Sequence, residues 1–94
     1  MLHESNDDKI QRIMAYLMTA IPEASIGHRH DPHAPAEEFS IHLSETHLFS
    51  VSKEFIDKYD ADTIEGHLNA MGMARIIRWT DKRILLTTGG LIYS

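Results

Sequence analysis

The sequence of 94 residues contains no cysteine. Disulfides, thiol nucleophiles and thiolate metal sites are therefore excluded, and a transition-metal site must use histidine with carboxylates. Long hydrophobic runs are also missing, because the most apolar stretch, residues 13–21, is far shorter than the about 20 residues of a membrane-spanning helix. The polar, acidic start lacks the basic and apolar regions of a signal peptide. These absences predict a soluble, cytoplasmic protein that makes no membrane contact.

Proline and glycine are scarce, with three and five residues, and all three prolines fall between residues 22 and 38. Because a chain of this length is too short for two independent cores, we expect a single domain over 1–94. Within it, the sequence predicts a mobile N-terminus at 1–5 and a loop containing proline and histidine at 22–37. A short strand at 24–30 stays open as an alternative.

Hydrophobic spacing predicts one helix and one hairpin in the first half of the chain. The helical series, at i, i+3, i+4, i+7 and i+11, comprises Ile10, Ile13, Met14, Leu17 and Ile21. Strand-like alternation follows, with apolar residues at Phe39, Ile41, Leu43, Phe49 and Val51. The polar sequence between these two runs indicates the turn of a β-hairpin with one buried face.

Residues 53–71 have a helical pattern that Gly72 ends, and the pattern does not decide between one helix and two. Asp62 and Glu65 resemble a capping box, which would restart a helix after a kink near Asp60. Beyond Gly72, residues 73–79 and 83–88 are rich in β-branched and aromatic side chains, and this predicts a second hairpin. By alternation, the single tryptophan, Trp79, is assigned to the core.

Together these elements predict an α+β fold with two layers. Helices pack on one face of a four- or five-stranded, mainly antiparallel sheet, in the order α-(β)-β-β-α-β-β. The edge strands of such a sheet provide a route to a homodimer.

Histidine is abundant, with seven residues, and three of them lie within the sequence GHRHDPHAP. If residues 24–30 are extended, His28 and His30 project to the same side and a third residue could complete a site for Zn, Ni or Cu. The candidate metal ligands are His28, His30, Asp31, His33, His42 and, at the N-terminus, His3. The alternative is a solvated loop without function. His42 and His47 also flank the hairpin turn, where an acid–base pair is a further alternative.

The formal charge of −5 is unevenly distributed along the chain. Residues 73–94 carry four basic side chains and one acidic side chain, a net charge of +3, whereas residues 1–72 carry −8. The four basic residues are Arg75, Arg78, Lys82 and Arg83. They are candidates for contact with an acidic protein partner, with a second copy of the chain or with a polyanion.

No nucleotide-binding, zinc-protease or serine-esterase motif is present, and no catalytic residue is assigned. We therefore expect a small non-enzymatic regulatory or adaptor module that acts through protein–protein contacts, as a homodimer, through its second hairpin and the nearby edge strand. No cofactor is expected under this interpretation. One alternative is a histidine-based domain that binds or senses Zn, Ni or Cu. Another is weak nucleic-acid binding through the basic C-terminal hairpin.

Overall fold

A computed structural model describes residues 5–94. Residues 1–4, which include the candidate ligand His3 and most of the predicted mobile segment, lie outside the described residues. The helices are α1 (Asn6–Ala20), α2 (Lys53–Lys58), α3 (Ala61–Met71) and α4 (Met73–Trp79). The strands are β1 (Ser25–Arg29), β2 (Ala36–His42), β3 (Thr46–Ser52), β4 (Ile84–Thr87) and β5 (Gly90–Tyr93).

The five strands form one sheet in sequence order, from β1 at one edge to β5 at the other. Neighbouring strands are antiparallel except β3 and β4, which are parallel. A parallel pair needs a long connection, and here α2, α3 and α4 supply it. The predicted α+β class with a mainly antiparallel sheet is confirmed.

The sheet has one buried and one open face. On β2 the side chains of Phe39 and Ile41 are fully buried, and Phe49 on β3 lies directly across from Phe39. Alternation turns the intervening residues to the open face, where Ser40 lies across from Leu48. The helices cover the buried face with residues such as Ile13, so one hydrophobic core joins helices and sheet.

Polar caps fix the helix boundaries and show that residues 53–71 form two helices. The Ser5 and Ser52 side chains accept hydrogen bonds from backbone N–H groups at the starts of α1 and α2. Asp60 caps α3 by accepting from the Thr63 N–H at 2.7 Å. The capping box predicted at Asp62 is therefore wrong by two residues. Gly72 ends α3 in the left-handed region with φ 66°, as predicted.

The structure corrects the interpretation of residues 73–79, which form helix α4 instead of a strand. Met73 and Ile77 are buried at helical spacing, whereas Arg75 and Trp79, which alternation placed with Ile77, are exposed. The core assignment of Trp79 is therefore wrong. The second hairpin consists of β4 and β5, and its turn contains Gly89.

The predicted loop at 22–37 is shorter than expected, because β1 lies inside it and β2 begins at Ala36. The open question of a strand near 24–30 is thereby answered. Within residues 5–94, no helix is long and apolar enough to cross a membrane.

Candidate functional sites

A carboxylate lies on the buried face of the sheet. Glu37 shares that face of β2 with Phe39 and Ile41, and only 2% of its surface is exposed. A buried charge is costly unless hydrogen bonds and opposite charges compensate it. The surroundings of Glu37 are therefore a natural place to look for a site.

Two of the predicted metal ligands converge on this carboxylate. In the extended strand β1, His28 projects towards the buried face, and His30 follows two residues later on the same side. The His28 Nε2 lies 2.8 Å from the Glu37 Oε1. The His30 Nδ1 lies 3.0 and 3.1 Å from the two carboxylate oxygens. An ionised carboxylate only accepts hydrogen bonds, so these ring nitrogens carry protons and donate.

The charge of Glu37 is further balanced by Lys53, the first residue of α2. Its Nζ lies 3.9 Å from the Glu37 Oε2 and donates to the Asp31 carbonyl at 2.7 Å. Burial acts to raise the pKa of Glu37, but the hydrogen bonds from His30 and His28 outweigh it, and the pKa is lowered. Glu37 is consequently ionised at neutral pH.

A cavity of about 260 Å³ opens beside these groups. His30, Glu37 and Lys53 supply its polar wall, and Ile10 and Ile56 supply its apolar wall. The contact of the His30 Nδ1 with Glu37 fixes the orientation of the imidazole, and the polar wall suits hydrogen bonding to a small polar group. The same contacts also connect β1, β2 and the start of α2, which is a structural role.

The remaining predicted ligands do not join this cluster. The Asp31 carboxylate accepts from the backbone N–H of His33 at 2.9 Å and so closes a local turn. The His42 Nδ1 lies 2.9 Å from the Thr46 Oγ1, at the far end of the β2–β3 hairpin. In the described part of the chain, no group of three or more His, Asp or Glu residues has a geometry that could hold a metal ion.

The structure does not bring together the alternative acid–base pair of His42 and His47. Thr46 lies across from His42 and Ile41 across from His47, so the two histidines project to opposite faces of the sheet. Sequence reasoning missed Glu37, although its position two residues before Phe39 in the alternating strand was a usable signal. An acidic residue at a core position of a strand requires partners, and histidines were the nearest candidates.

A second candidate site lies at the C-terminal end of the chain, where large apolar side chains are exposed. Trp79 is 83% exposed, and Ile92 and Tyr93 on β5 are 52% and 47% exposed. Arg83, whose backbone pairs with Ser94 at the end of β5, follows Trp79 by four positions. The chain between them spans at most about 14 Å. Trp79 and the end of β5 therefore belong to one region of the surface.

Basic side chains accompany these apolar residues. Arg75, Lys82 and Arg83 are exposed and make no ion pair within the described chain. Arg78 differs, because its guanidinium binds both carboxylate oxygens of Glu23, at 2.5 and 2.9 Å. This pair connects α4 to the turn after α1 and lowers the pKa of Glu23. Three of the four predicted basic residues thus remain open to a partner.

Tyr93 pairs with the buried Ile84 and so lies on the side of the sheet that carries the helices, whereas Ile92 pairs with Leu85 and projects to the opposite face. We name the region on the helical side the C-terminal surface and define it by Trp79 and Tyr93 together with Arg75, Lys82 and Arg83. Its mixture of exposed aromatic side chains and unpaired cations is typical of protein interfaces, in which Trp, Tyr and Arg are enriched.

Comparisons with models of protein families, with curated proteins and with solved structures find no significant match to this chain.

Proposed function

We propose that the protein is a small regulatory or adaptor module that binds a protein partner through the C-terminal surface. The observation that carries this proposal is the 83% exposure of Trp79, the only tryptophan of the chain. Exposing an indole to water is unfavourable, and tryptophan is on average a highly buried residue. The exposure of Trp79 favours a contact that covers it together with Tyr93, which lies on the same side of the sheet.

The unpaired cations specify the charge of that partner. Residues 73–94 carry a net charge of +3 in a chain of −5, so this end of the protein attracts an acidic surface while the rest repels it. The contact is thereby oriented, because the C-terminal surface combines exposed apolar groups with unpaired positive charge.

Affinity capture with matched variants tests this proposal. The tagged full chain, the double variant Trp79→Ser/Tyr93→Ser and the control Met18→Ser are incubated with an extract of the source cells. Met18 on α1 is the matched control because it is 58% exposed but lies outside the C-terminal surface. We expect one partner to be retained by the wild type and by Met18→Ser.

The affinity of the purified partner is then measured by calorimetry. Loss of two central apolar contacts is expected to weaken binding at least about tenfold, as for interface hot spots. Equal affinity of all three proteins would contradict the proposal. The predicted homodimer stays a prediction, and sedimentation equilibrium of the wild type tests it.

A second candidate function, binding of single-stranded nucleic acid, is favoured by the same indole. An exposed Trp79 with cations nearby can stack on a base while Lys82 and Arg83 contact phosphates. The low number of cations and the acidic remainder of the chain count against it. Titrating the protein with a twelve-nucleotide RNA while following Trp79 fluorescence, at two salt concentrations, tests nucleic-acid binding. This function requires that the RNA quenches the fluorescence at low salt and that high salt removes the quenching.

A further inference from the structure

Strand β5 is an edge with unused backbone hydrogen-bonding groups. It is the last strand of the sheet, and it pairs with β4 on one side and with no strand of the described chain on the other. Arg83 and Ser94 exchange both of their backbone hydrogen bonds at 3.0 Å. Because such pairs alternate in an antiparallel ladder, Leu91 and Tyr93 direct their N–H and C=O groups away from β4. Two donors and two acceptors therefore line the open edge.

A small groove lies next to this edge, between the helices and the turn of the β4–β5 hairpin. It has a volume of about 190 Å³, and its walls include Phe55, Tyr59 and His67 on the helical side and Leu86 and Gly90 on the hairpin side. Sites for small molecules commonly enclose about 300 Å³ or more, so this groove suits a single side chain better than a free ligand.

His67 forms part of the helical wall of this groove. Its ring is held by its neighbours, with centroids 4.9 Å from Tyr59 and 5.6 Å from Phe55. The ring Nδ1 is closed off from solvent, so a side chain in the groove meets the ring surfaces of His67 and Tyr59.

The charge near this edge selects among partners. Arg83 lies across from Ser94 at the end of β5, and Lys82 precedes it. If two copies paired through β5, both would bring the unpaired cations Lys82 and Arg83 to the same interface. An acidic segment from another protein avoids this repulsion and pairs with both cations.

We propose that an extended, acidic peptide segment of a partner protein adds as a sixth strand beside β5. Its backbone bonds to Leu91 and Tyr93, and one small side chain enters the groove and packs against the rings of Tyr59 and His67. Strand addition of this kind takes its affinity from main-chain hydrogen bonds and its specificity from pockets for alternate side chains. The inference rests on the proposed protein-binding function and specifies the partner's chemistry.

Selection from a displayed library of random twelve-residue peptides tests this inference on the full chain. We expect the selected peptides to be acidic, and to shift the amide signals of Leu91 and Tyr93 and the ring signals of His67 in NMR spectra. In a bound strand, only every second N–H group of the peptide faces β5. Methylating the nitrogens of that set should weaken binding at least tenfold, whereas methylating the other set should change it little.

A matched pair of variants checks the edge itself. Tyr93→Pro removes an N–H that points away from β4, which an edge strand tolerates, whereas Tyr93→Ala keeps that N–H and removes only the ring. We expect Tyr93→Pro to weaken peptide binding at least tenfold more than Tyr93→Ala.

Three outcomes would overturn the inference. The first is that the selected peptides are not acidic. The second is that Tyr93→Pro and Tyr93→Ala bind the peptide equally well. The third is that the wild type is a dimer and Tyr93→Pro is a monomer. The last result would assign the edge to a second copy. If the cellular partner needs Trp79 but binds equally well to Tyr93→Pro, strand addition is wrong while the proposed function stands.

Discussion

At the scale of single residues, burial identifies one side chain that sequence reasoning missed and one that it placed incorrectly. Glu37 is polar and buried, and Trp79 is apolar and exposed. Glutamate is usually exposed and tryptophan is usually buried, so both residues depart from the common pattern. Each residue is therefore a place where the fold departs from the average pattern, and such departures concentrate at functional or compensated positions.

Trp79→Ala is expected to leave the stability of the fold nearly unchanged. A side chain that is 83% exposed contributes little burial, so the free energy of unfolding should change by no more than about 0.5 kcal/mol. Phe39→Ala is the contrasting control, because Phe39 is fully buried and its loss should cost about 3–5 kcal/mol. Urea unfolding followed by circular dichroism measures both. A cost above about 2 kcal/mol for Trp79→Ala would show that the indole is packed.

Glu37→Gln is expected to destabilise the protein by about 1.5–3 kcal/mol at pH 7, because it removes a charged acceptor from two histidine donors. Glu38→Gln is the matched control, since the neighbouring carboxylate faces the open side of the sheet. Both variants are compared with the wild type by urea unfolding.

The cost of Glu37→Gln should also depend on pH. The pKa of Glu37 is lowered in the folded protein, so its ionised form adds stability at pH values above its ordinary pKa of 4.5, and this stability is lost as pH falls through the lowered value. The difference between wild type and Glu37→Gln should therefore shrink in acid. A difference that grows as pH falls below 4.5 would contradict the assigned direction of the shift.

At the scale of elements, long periodic segments could be predicted from the sequence and short ones could not. α1 has fifteen residues and the β2–β3 hairpin buries Phe39 and Phe49 as its alternation indicates. α4 has only seven residues, and its β-branched composition suggests a strand. Its buried Met73 and Ile77 fit helical spacing, but two positions are too few to decide the period without the surrounding fold.

Gly72 and Gly66 offer a paired test of the α3–α4 boundary. In both positions an added Cβ meets nothing within 4 Å, so packing does not distinguish them. Gly72 has φ 66°, where alanine is strained by about 1–2 kcal/mol. Gly66 lies inside α3, where alanine is favoured by about 0.5–1 kcal/mol. We therefore expect Gly72→Ala to lower and Gly66→Ala to raise the free energy of unfolding, measured with urea.

The same direction of change for both glycine variants would contradict this boundary. If Gly72→Ala were stabilising, residues 61–79 would form one continuous helix in solution. If Gly66→Ala were destabilising, α3 would be interrupted at its centre.

At the scale of the whole molecule, the unpredicted feature is the parallel pairing of β3 and β4. The sequence indicates two hairpins, but hairpin patterns contain no information on how the hairpins pair with each other. The three helices between β3 and β4 cross one face of the sheet, and this crossing makes the pairing parallel. It also places β4 beside β3 and β5 outside β4, so that β5 has an open edge of the sheet.

This topology predicts that the domain unfolds in one cooperative transition. Ile13 on α1 and Leu86 on β4 are both buried in the same hydrophobic core, although they come from opposite ends of the chain. The radius of gyration of 12.5 Å matches the about 12 Å of a compact domain of this length. Separate unfolding of either end would expose a core that both ends share, which disfavours intermediates.

Equilibrium unfolding in urea tests this prediction with two probes, far-ultraviolet circular dichroism for the helices and NMR amide signals for β4 and β5. We expect coincident midpoints for the wild type, and an equal lowering of both midpoints by Ile13→Ala or Leu86→Ala, each of which should cost about 2–5 kcal/mol. An earlier transition for β4 and β5 that Leu86→Ala shifts and Ile13→Ala does not would mean that the hairpin is a separate unit. The C-terminal surface would then be presented by a segment that opens independently of the core, and the edge of β5 would gain its partner-binding geometry only when the hairpin is closed.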